Sequence, residues 1–400
     1  MAEAKKFTRT ELELSAGNVL RSMQKPAIGV GGLALVASFA GALVWPKAFF
    51  EGWLIAFLFW LGAALGSTGI LMLQYISGGR WGAAIRRPLE AAASNVPMMA
   101  LCFVPVALGI GHLYEWSDPE MVAHSSALQH KAVYLNTPFF IARAAFFFGV
   151  WILLSKKLVG WSREQDAQGH DQKRADSTSV LSHAGMIAYA LTMSLAGIDW
   201  GMSLESHWFS HIYGLMFTGC QILTAMTVAV MTASRMADHR PISVVLSPDR
   251  FQDLGKLLLA FTMVWTYFQL SQYLIMWSAN MPEEVGWYLV RNANGWQHVT
   301  YFLFAFHFLV PFGLLLSRNR KRDPRKIAGV AALLCFMQYV DVYWWISPSL
   351  NKEAFFLHPL HITTALGIGG VWVWAYIGNL AAHPIVAFND PVIVTELEKA

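Results

Sequence analysis

Apolar runs of about twenty residues recur from one end of this chain to the other. That is the length an α-helix needs to cross the hydrocarbon core of a bilayer. A soluble domain could not bury so much apolar surface. Charge content agrees, since only 14% of the 400 residues are Asp, Glu, Lys or Arg, against about 25% in soluble domains. A soluble globular enzyme and a disordered chain are therefore excluded. The expected fold is an all-α integral membrane protein, with no nucleic-acid role.

Ten spanning helices are predicted, over 27–45, 50–77, 89–112, 136–156, 178–198, 211–234, 252–278, 297–317, 327–346 and 361–382. Residues 1–26 are read as a cytoplasmic N-terminal segment, 27–382 as the membrane domain and 383–400 as a cytoplasmic C-terminal tail. No cleavable signal pattern precedes the first apolar run, so the first helix is expected to direct insertion. With the N-terminus inside, 24 of the 29 Lys and Arg residues fall on the inner side and four (Lys47, Lys131, Arg291 and Lys352) on the outer. Arg143 lies within a helix. This asymmetry fixes both the helix count and the orientation.

Trp45, Trp116, Trp200, Trp208, Trp277, Trp287, Trp296, Trp344 and Trp345 gather at the outer helix ends, where interfacial anchors are expected. Gly62, Gly66, Gly69, Gly367, Gly369 and Gly370 predict close helix packing. The segment 157–177 reads as a polar loop. The outer loops 113–135 and 279–296 are acidic and aromatic, as befits a lid, a solvated loop or a protein-docking surface.

A short internal repeat places one Asp near the outer end of helix 5 (Ile198-Asp199-Trp200) and one near that of helix 9 (Val340-Asp341-Val342). If helices 2–5 and 6–9 are equivalent four-helix bundles, with helices 1 and 10 peripheral, the two carboxylates occupy corresponding places.

Ionisable groups inside a membrane cost about 2.5–3.5 kcal/mol at a helix centre and mark functional candidates. Helix 7 carries Tyr267, Gln269, Ser271 and Tyr273, a polar stripe at helical spacing. His307 on helix 8 lies about 14 Å below the outer helix end, and Tyr267 at a comparable depth of about 16 Å. Helix 9 adds Gln338, Tyr339, Asp341 and Tyr343. Imidazole and carboxyl groups exchange protons near neutral pH in suitable surroundings. The set, with His183 and Asp199 as further candidates, therefore reads as a proton path, or else as a polar network that fixes helix register.

A second set comprises Arg143, Asp199, Glu205, His207 and His211. It reads as a structural Arg–carboxylate pair or as a niche for a quinone head group. His183, near the inner end of helix 5, is either a proton port or an interfacial side chain. Glu90 and Asp253 are expected at inner helix starts, where acids favour the helix dipole.

Cys102, Cys220 and Cys335 form no C-x-x-C, so no iron–sulfur, zinc-ribbon or covalent haem ligand set is expected. Axial His pairs of four-helix cytochromes b stand about thirteen residues apart on one helix. The only such spacing, His170 and His183, puts His170 in a loop, so a haem b of its own is not expected.

Four motifs carry a resemblance. They are Leu270-Ser271-Gln272-Tyr273-Leu274-Ile275-Met276-Trp277 with Asn280-Met281-Pro282-Glu283-Glu284; Ser203-Leu204-Glu205-Ser206-His207-Trp208-Phe209-Ser210 with Ile212-Tyr213-Gly214; Val340-Asp341-Val342-Tyr343-Trp344 with Pro348; and His361-Ile362-Thr363-Thr364-Ala365-Leu366-Gly367. In this order, across helices 5–10, they resemble the ActF-type, NrfD-like membrane subunit of bacterial alternative complex III. This is quinone-binding subunit 2 of a quinol:cytochrome c oxidoreductase. Helices 1–4 are similar mainly in hydropathy.

The resemblance implies two four-helix bundles and two peripheral helices in a bacterial cytoplasmic membrane. It implies no redox centre on this chain, and quinol or menaquinol as substrate of the whole complex. Implied partners are a second NrfD-like quinol-binding subunit, an iron–sulfur protein, multihaem and monohaem cytochromes c, small membrane subunits, lipids and a terminal oxidase. The residue sets above would then support quinol oxidation and proton translocation. Two other readings stand beside this one: a proton-coupled secondary transporter and a purely structural scaffold. Against the transporter, Pro105 and Pro311, the candidate helix breaks, do not fall at matching positions of the two halves.

Overall fold

The computed structural model describes residues 17–239, 242–384, 386–387 and 389–398, and these are overwhelmingly helical. Ten long elements follow in order: α1 Gly17–Ala42, α2 Pro46–Ser77, α3 Arg80–Ala93, α4 Thr137–Gln168, α5 Gln172–Trp200, α6 Tyr213–Met236, α7 Pro248–Ala279, α8 Gln297–Leu316, α9 Pro324–Leu350 and α10 Pro359–Ala381. Among the described residues nine helices are long and apolar enough to cross a membrane, α3 being extended for this by the turns that follow it to Leu108. The chain is a multi-pass membrane protein. The long helix outside that nine is α7, which at 32 residues is as long as α2 and α4 but carries the polar stripe.

Local chemistry explains the helix ends. Pro opens the first turn of α2, α4, α7, α9 and α10, where a missing N–H costs nothing. Asn136, Ser247 and Asp323 accept backbone N–H bonds at the starts of α4, α7 and α9. His358 and His361 form a reciprocal capping pair on α10. Asn280 ends α7 in the left-handed conformation, φ 47°.

The core runs along α2, with 94% of its spanning window buried, against 17% for α1 and 22% for α8. That contrast makes α2 the central post and leaves α1 and α8 at the periphery. α2 packs on α3, α5, α6, α9 and α10; α6 packs on α5, α7 and α9. Thus α2–α5 and α6–α9 form two groups joined along α2 and α6, while α1 lies on α10 beside α2. Small residues permit these approaches. A Cβ on Gly66 would stand 2.1 Å from the Gln221 carbonyl oxygen, and one on Gly370 2.4 Å from Gly31 Cα.

Several expectations need correcting. The polar stretch 157–177 is mostly helix, with only residues 169–171 between α4 and α5. Its polar side chains lie on helix ends that run beyond the apolar spans. The third predicted helix starts nine residues early, at Arg80, and breaks repeatedly after Ala93, with Pro97 and Pro105 in the broken stretch. Glu90 is accordingly no helix-start residue: it lies in the last turns of α3, buried, with an Arg87 Nη1–Oε2 contact of 2.6 Å. Asp253 does lie near the start of α7, paired with Arg250 and Lys256.

Seven of the nine tryptophans expected at the interface are buried; only Trp45 and Trp277 are exposed. Two of the indole N–H groups tie one connection to another, as Trp208 donates to the Glu284 carbonyl and Trp296 to that of Asn351, just past α9. The loops 113–135 and 279–296 hold short helices, among them Pro282–Arg291. The chain end also folds back, since Pro391–Glu398 is a helix against α3.

Below, the face bearing the 201–212 and 280–296 connections is called the loop-rich face. The opposite one, bearing 78–79, 169–171 and 317–323, is called the basic face.

Candidate functional site

Asp341 lies on the α9 side that faces α6 and α7 and is completely buried. Its Oδ2 accepts from Trp265 Nε1 at 2.9 Å and from Cys220 Sγ at 3.2 Å. Its Oδ1 accepts from Trp345 Nε1 at 3.2 Å and Gln269 Nε2 at 3.5 Å. Trp345 is one turn along α9, so that bond comes from helical spacing; the other three donors come from α6 and α7. No cation contacts the carboxyl among the described residues. It is held by neutral donors alone.

A cavity of about 430 Å³ opens between α7 and α8 and reaches Asp341. Trp265, Gln269, Tyr273, Tyr288, Thr300 and Trp344 line it with aliphatic side chains. The Tyr288 hydroxyl, on the loop helix, is buried without a hydrogen-bond partner among the described residues. Few polar groups converging on one carboxyl within an apolar wall is the usual build of a small-molecule site.

His307 sits in a π-helical stretch of α8, Phe304–Leu309, completely buried. Such bulges occur often at functional sites. Here Pro311, four residues on, has no N–H to give the His307 carbonyl, which loosens the ladder. His307 Nε2 is 2.9 Å from Gln338 Nε2, and Nδ1 has no partner among the described residues. The imidazole packs edge-on against Trp265, ring centroids 3.8 Å apart.

This geometry breaks the direct relay expected from the sequence. Trp265 stands between His307 and Asp341, and an indole only donates. Tyr339 points elsewhere, its hydroxyl donating to the His361 carbonyl at 2.7 Å beside a different cavity. Tyr267 is 65% exposed at the cavity rim, and Ser271, half-buried, is not among the residues lining it. Of the predicted set, the structure brings Gln269 and Asp341 into contact. It sets His307 one ring away and leaves Tyr267, Ser271 and Tyr339 apart.

In the first bundle Arg143 grips Asp199 through two bonds, Nε–Oδ2 at 2.7 Å and Nη2–Oδ1 at 3.0 Å. Arg143 Nη1 donates to the Tyr134 carbonyl at 2.8 Å, and the guanidinium stacks on the Tyr134 ring. Glu205 does not join the pair; it meets Lys352 at 2.9 Å. His207 and His211 are exposed and do not touch it. His183 is exposed on α5, its Nδ1 2.8 Å from the Ser179 carbonyl oxygen.

Two features escaped the sequence reading. Glu51, completely buried one turn into α2, accepts from Ser347 Oγ and Asn351 Nδ2, with His361 Nε2 at 3.5 Å. An acid one turn inside an apolar run was the available signal, but it looks like an ordinary first-turn carboxylate. Arg291, read only as an outer-side charge, is completely buried. It donates to the carbonyls of Trp287, Trp344 and Trp345 and to Ser349 Oγ, with its guanidinium over the Trp287 ring. Burial lowers its pKa to about 9 despite the nearby Glu205 charge, so it stays protonated at neutral pH. It thereby bonds two carbonyls in the last turns of α9, the helix that carries Asp341.

A scan against protein-family models finds no match, and a search of curated proteins finds no similar one.

Proposed function

We propose that this chain is a membrane subunit of a bacterial quinol:cytochrome c oxidoreductase of the alternative complex III type. It exchanges protons through the Asp341 cavity in support of quinol oxidation. The observation that carries the proton reading is a buried carboxyl without a cation, placed on a cavity between α7 and α8. An Asp locked to an Arg stays charged. An Asp held by neutral N–H and S–H donors can take up and release a proton without leaving a second charge buried. With Trp265 blocking a direct handover from His307, protons reach Asp341 along water in the cavity, and Gln269 orients the carboxyl.

The family assignment is supported by the four ordered motifs and by the grouping of α2–α5 and α6–α9. In this reading α7 is the tenth span, its polar stripe turned to the cavity, and both termini are cytoplasmic, on the basic face. The electron-transfer centres sit on partners: an iron–sulfur protein and multihaem and monohaem cytochromes c. A second NrfD-like subunit binds the quinol.

The test is purification of the tagged chain from its native membrane in mild detergent, with subunits identified by mass spectrometry and haem staining. Co-purification of those partners with quinol:cytochrome c activity is expected; a lone haem-free protein would overturn the assignment. In the assembled complex Asp341→Asn should lower protons released per electron. An unchanged yield at normal assembly would assign Asp341 to packing.

A further inference from the structure

A second buried carboxyl lies where the loop-rich ends of α2, α9 and α10 meet. Glu51 is completely buried, although it stands only about 7.5 Å along α2 from Pro46. Its Oε1 accepts from Ser347 Oγ and from Asn351 Nδ2 at 3.0 Å, and its Oε2 from the same Nδ2 at 2.9 Å. No Lys or Arg contacts the carboxyl among the described residues. Lys47, one turn back on α2, gives its Nζ to the Leu350 carbonyl at 3.3 Å.

The remaining neighbour is His361 of α10, 1% exposed, with Nε2 3.5 Å from Glu51 Oε1. The helix cap sets where this ring carries its hydrogen. His361 Nδ1 accepts the backbone N–H of His358 at 3.4 Å, so Nδ1 bears none. The neutral imidazole then carries its one hydrogen on Nε2. That nitrogen is buried without a hydrogen-bond partner among the described residues, and the acid beside it is Glu51. An imidazolium would need a second hydrogen on Nδ1 and would break the cap. A proton arriving at the pair therefore settles on Glu51. The other titratable groups around it are Tyr343 of α9, whose ring centroid is 5.7 Å from that of His361, and His358, at 6.5 Å.

Both states of Glu51 find partners here. The carboxylate accepts from the Ser347 hydroxyl and the Asn351 amide, with the imidazole N–H beside it. The carboxylic acid donates to Ser347 Oγ, because a hydroxyl accepts as well as donates. The serine hydrogen then turns to the carbonyl one helical turn back. An acid kept only to pin helices together would be served by a cation, as Asp199 is by Arg143.

We infer that Glu51 is a second proton-binding site, separate from Asp341, which exchanges its proton with the loop-rich face and is poised by the α10 cap through His361. Glu51 binds that proton whatever complex the chain belongs to.

The test is infrared difference spectroscopy of the purified native assembly between acid and alkaline buffer, in ordinary and heavy water. A carboxyl that takes up a proton gains a C=O band that shifts in heavy water. Glu51→Gln should remove one such band, and Asp341→Asn should leave that band in place. His361→Phe takes away the Nε2–H donor, so the Glu51 band should move to higher frequency, as a C=O does on losing a hydrogen bond. Asn351→Ala should move it the same way, and this variant decides the matter should the other two fail to assemble. Identical spectra for the unchanged protein and Glu51→Gln, a Glu51 band constant at every pH, or a band that no donor variant moves would overturn the inference.

Discussion

Asp199 and Asp341 occupy similar places near the loop-rich ends of α5 and α9, and both are completely buried. Their surroundings differ in charge. Asp199 faces Arg143, whose guanidinium meets both carboxylate oxygens. Asp341 faces Trp265, Cys220, Trp345 and Gln269, none of them charged. The first arrangement fixes a charge and spends it on holding α4 to α5. The second leaves a carboxyl held by neutral donors alone, and it adjoins a cavity. Similar sequence positions thus form an Arg–carboxylate clamp in one group of helices and a cation-free carboxyl in the other.

Removing cations and donors one at a time tests this contrast. The largest expected effect is Arg143→Met, which strands Asp199 as an unpaired buried charge; loss of about 3–5 kcal/mol follows from that. Thermal unfolding of the purified complex measures it, and the double change with Asp199→Leu should recover most of the loss. Equal losses for the single and double variants would remove the clamp from the comparison.

Next comes Arg291→Met, which takes a donor from two carbonyls near the end of α9, those of Trp344 and Trp345, and should cost about 2–3 kcal/mol by the cost of unsatisfied buried groups. It should also alter proton yield, because those carbonyls belong to the turn that positions Trp345 over Asp341. Unchanged yield would separate the cap from the site.

Asp341→Asn preserves shape and needs no counter-charge, so its stability cost should stay within about 1–2 kcal/mol. A loss as large as that of Arg143→Met would mean Asp341 is also a structural ion. Cys220→Ala removes one weak donor and should cost about 1 kcal/mol or less. Lys352→Met breaks a half-exposed pair with Glu205 and should stay below about 0.5–1 kcal/mol.

Much of the architecture was legible because bilayer physics is written in one dimension. Apolar runs and basic flanks locate the long helices within several residues at most ends. The clearest misses fall where polarity and helix part company. Residues 157–168 and 172–177 are helical because α4 and α5 extend into water. Arg80–Ala93 is helical because its charged side chains are buried against α2, α4 and the chain end, which no local pattern reveals.

For the site, the sequence by itself determined the ionisable inventory. It marked Arg143, Asp199, His307 and Asp341 as costly residues that require partners, because lipid cannot solvate them. Which partner each one found was settled by tertiary structure alone. Arg143 could have met Glu205 as readily as Asp199 on spacing, and Tyr267 shares a stripe with Gln269 yet turns outward. A helix turns 100° per residue, so neighbours in sequence face different surroundings, and only packing decides which of them meet. The same holds for Glu51, Arg291 and the chain end. Their side-chain bonds to other elements join residues 53 to 316 positions apart, so no local window along the chain could contain both partners.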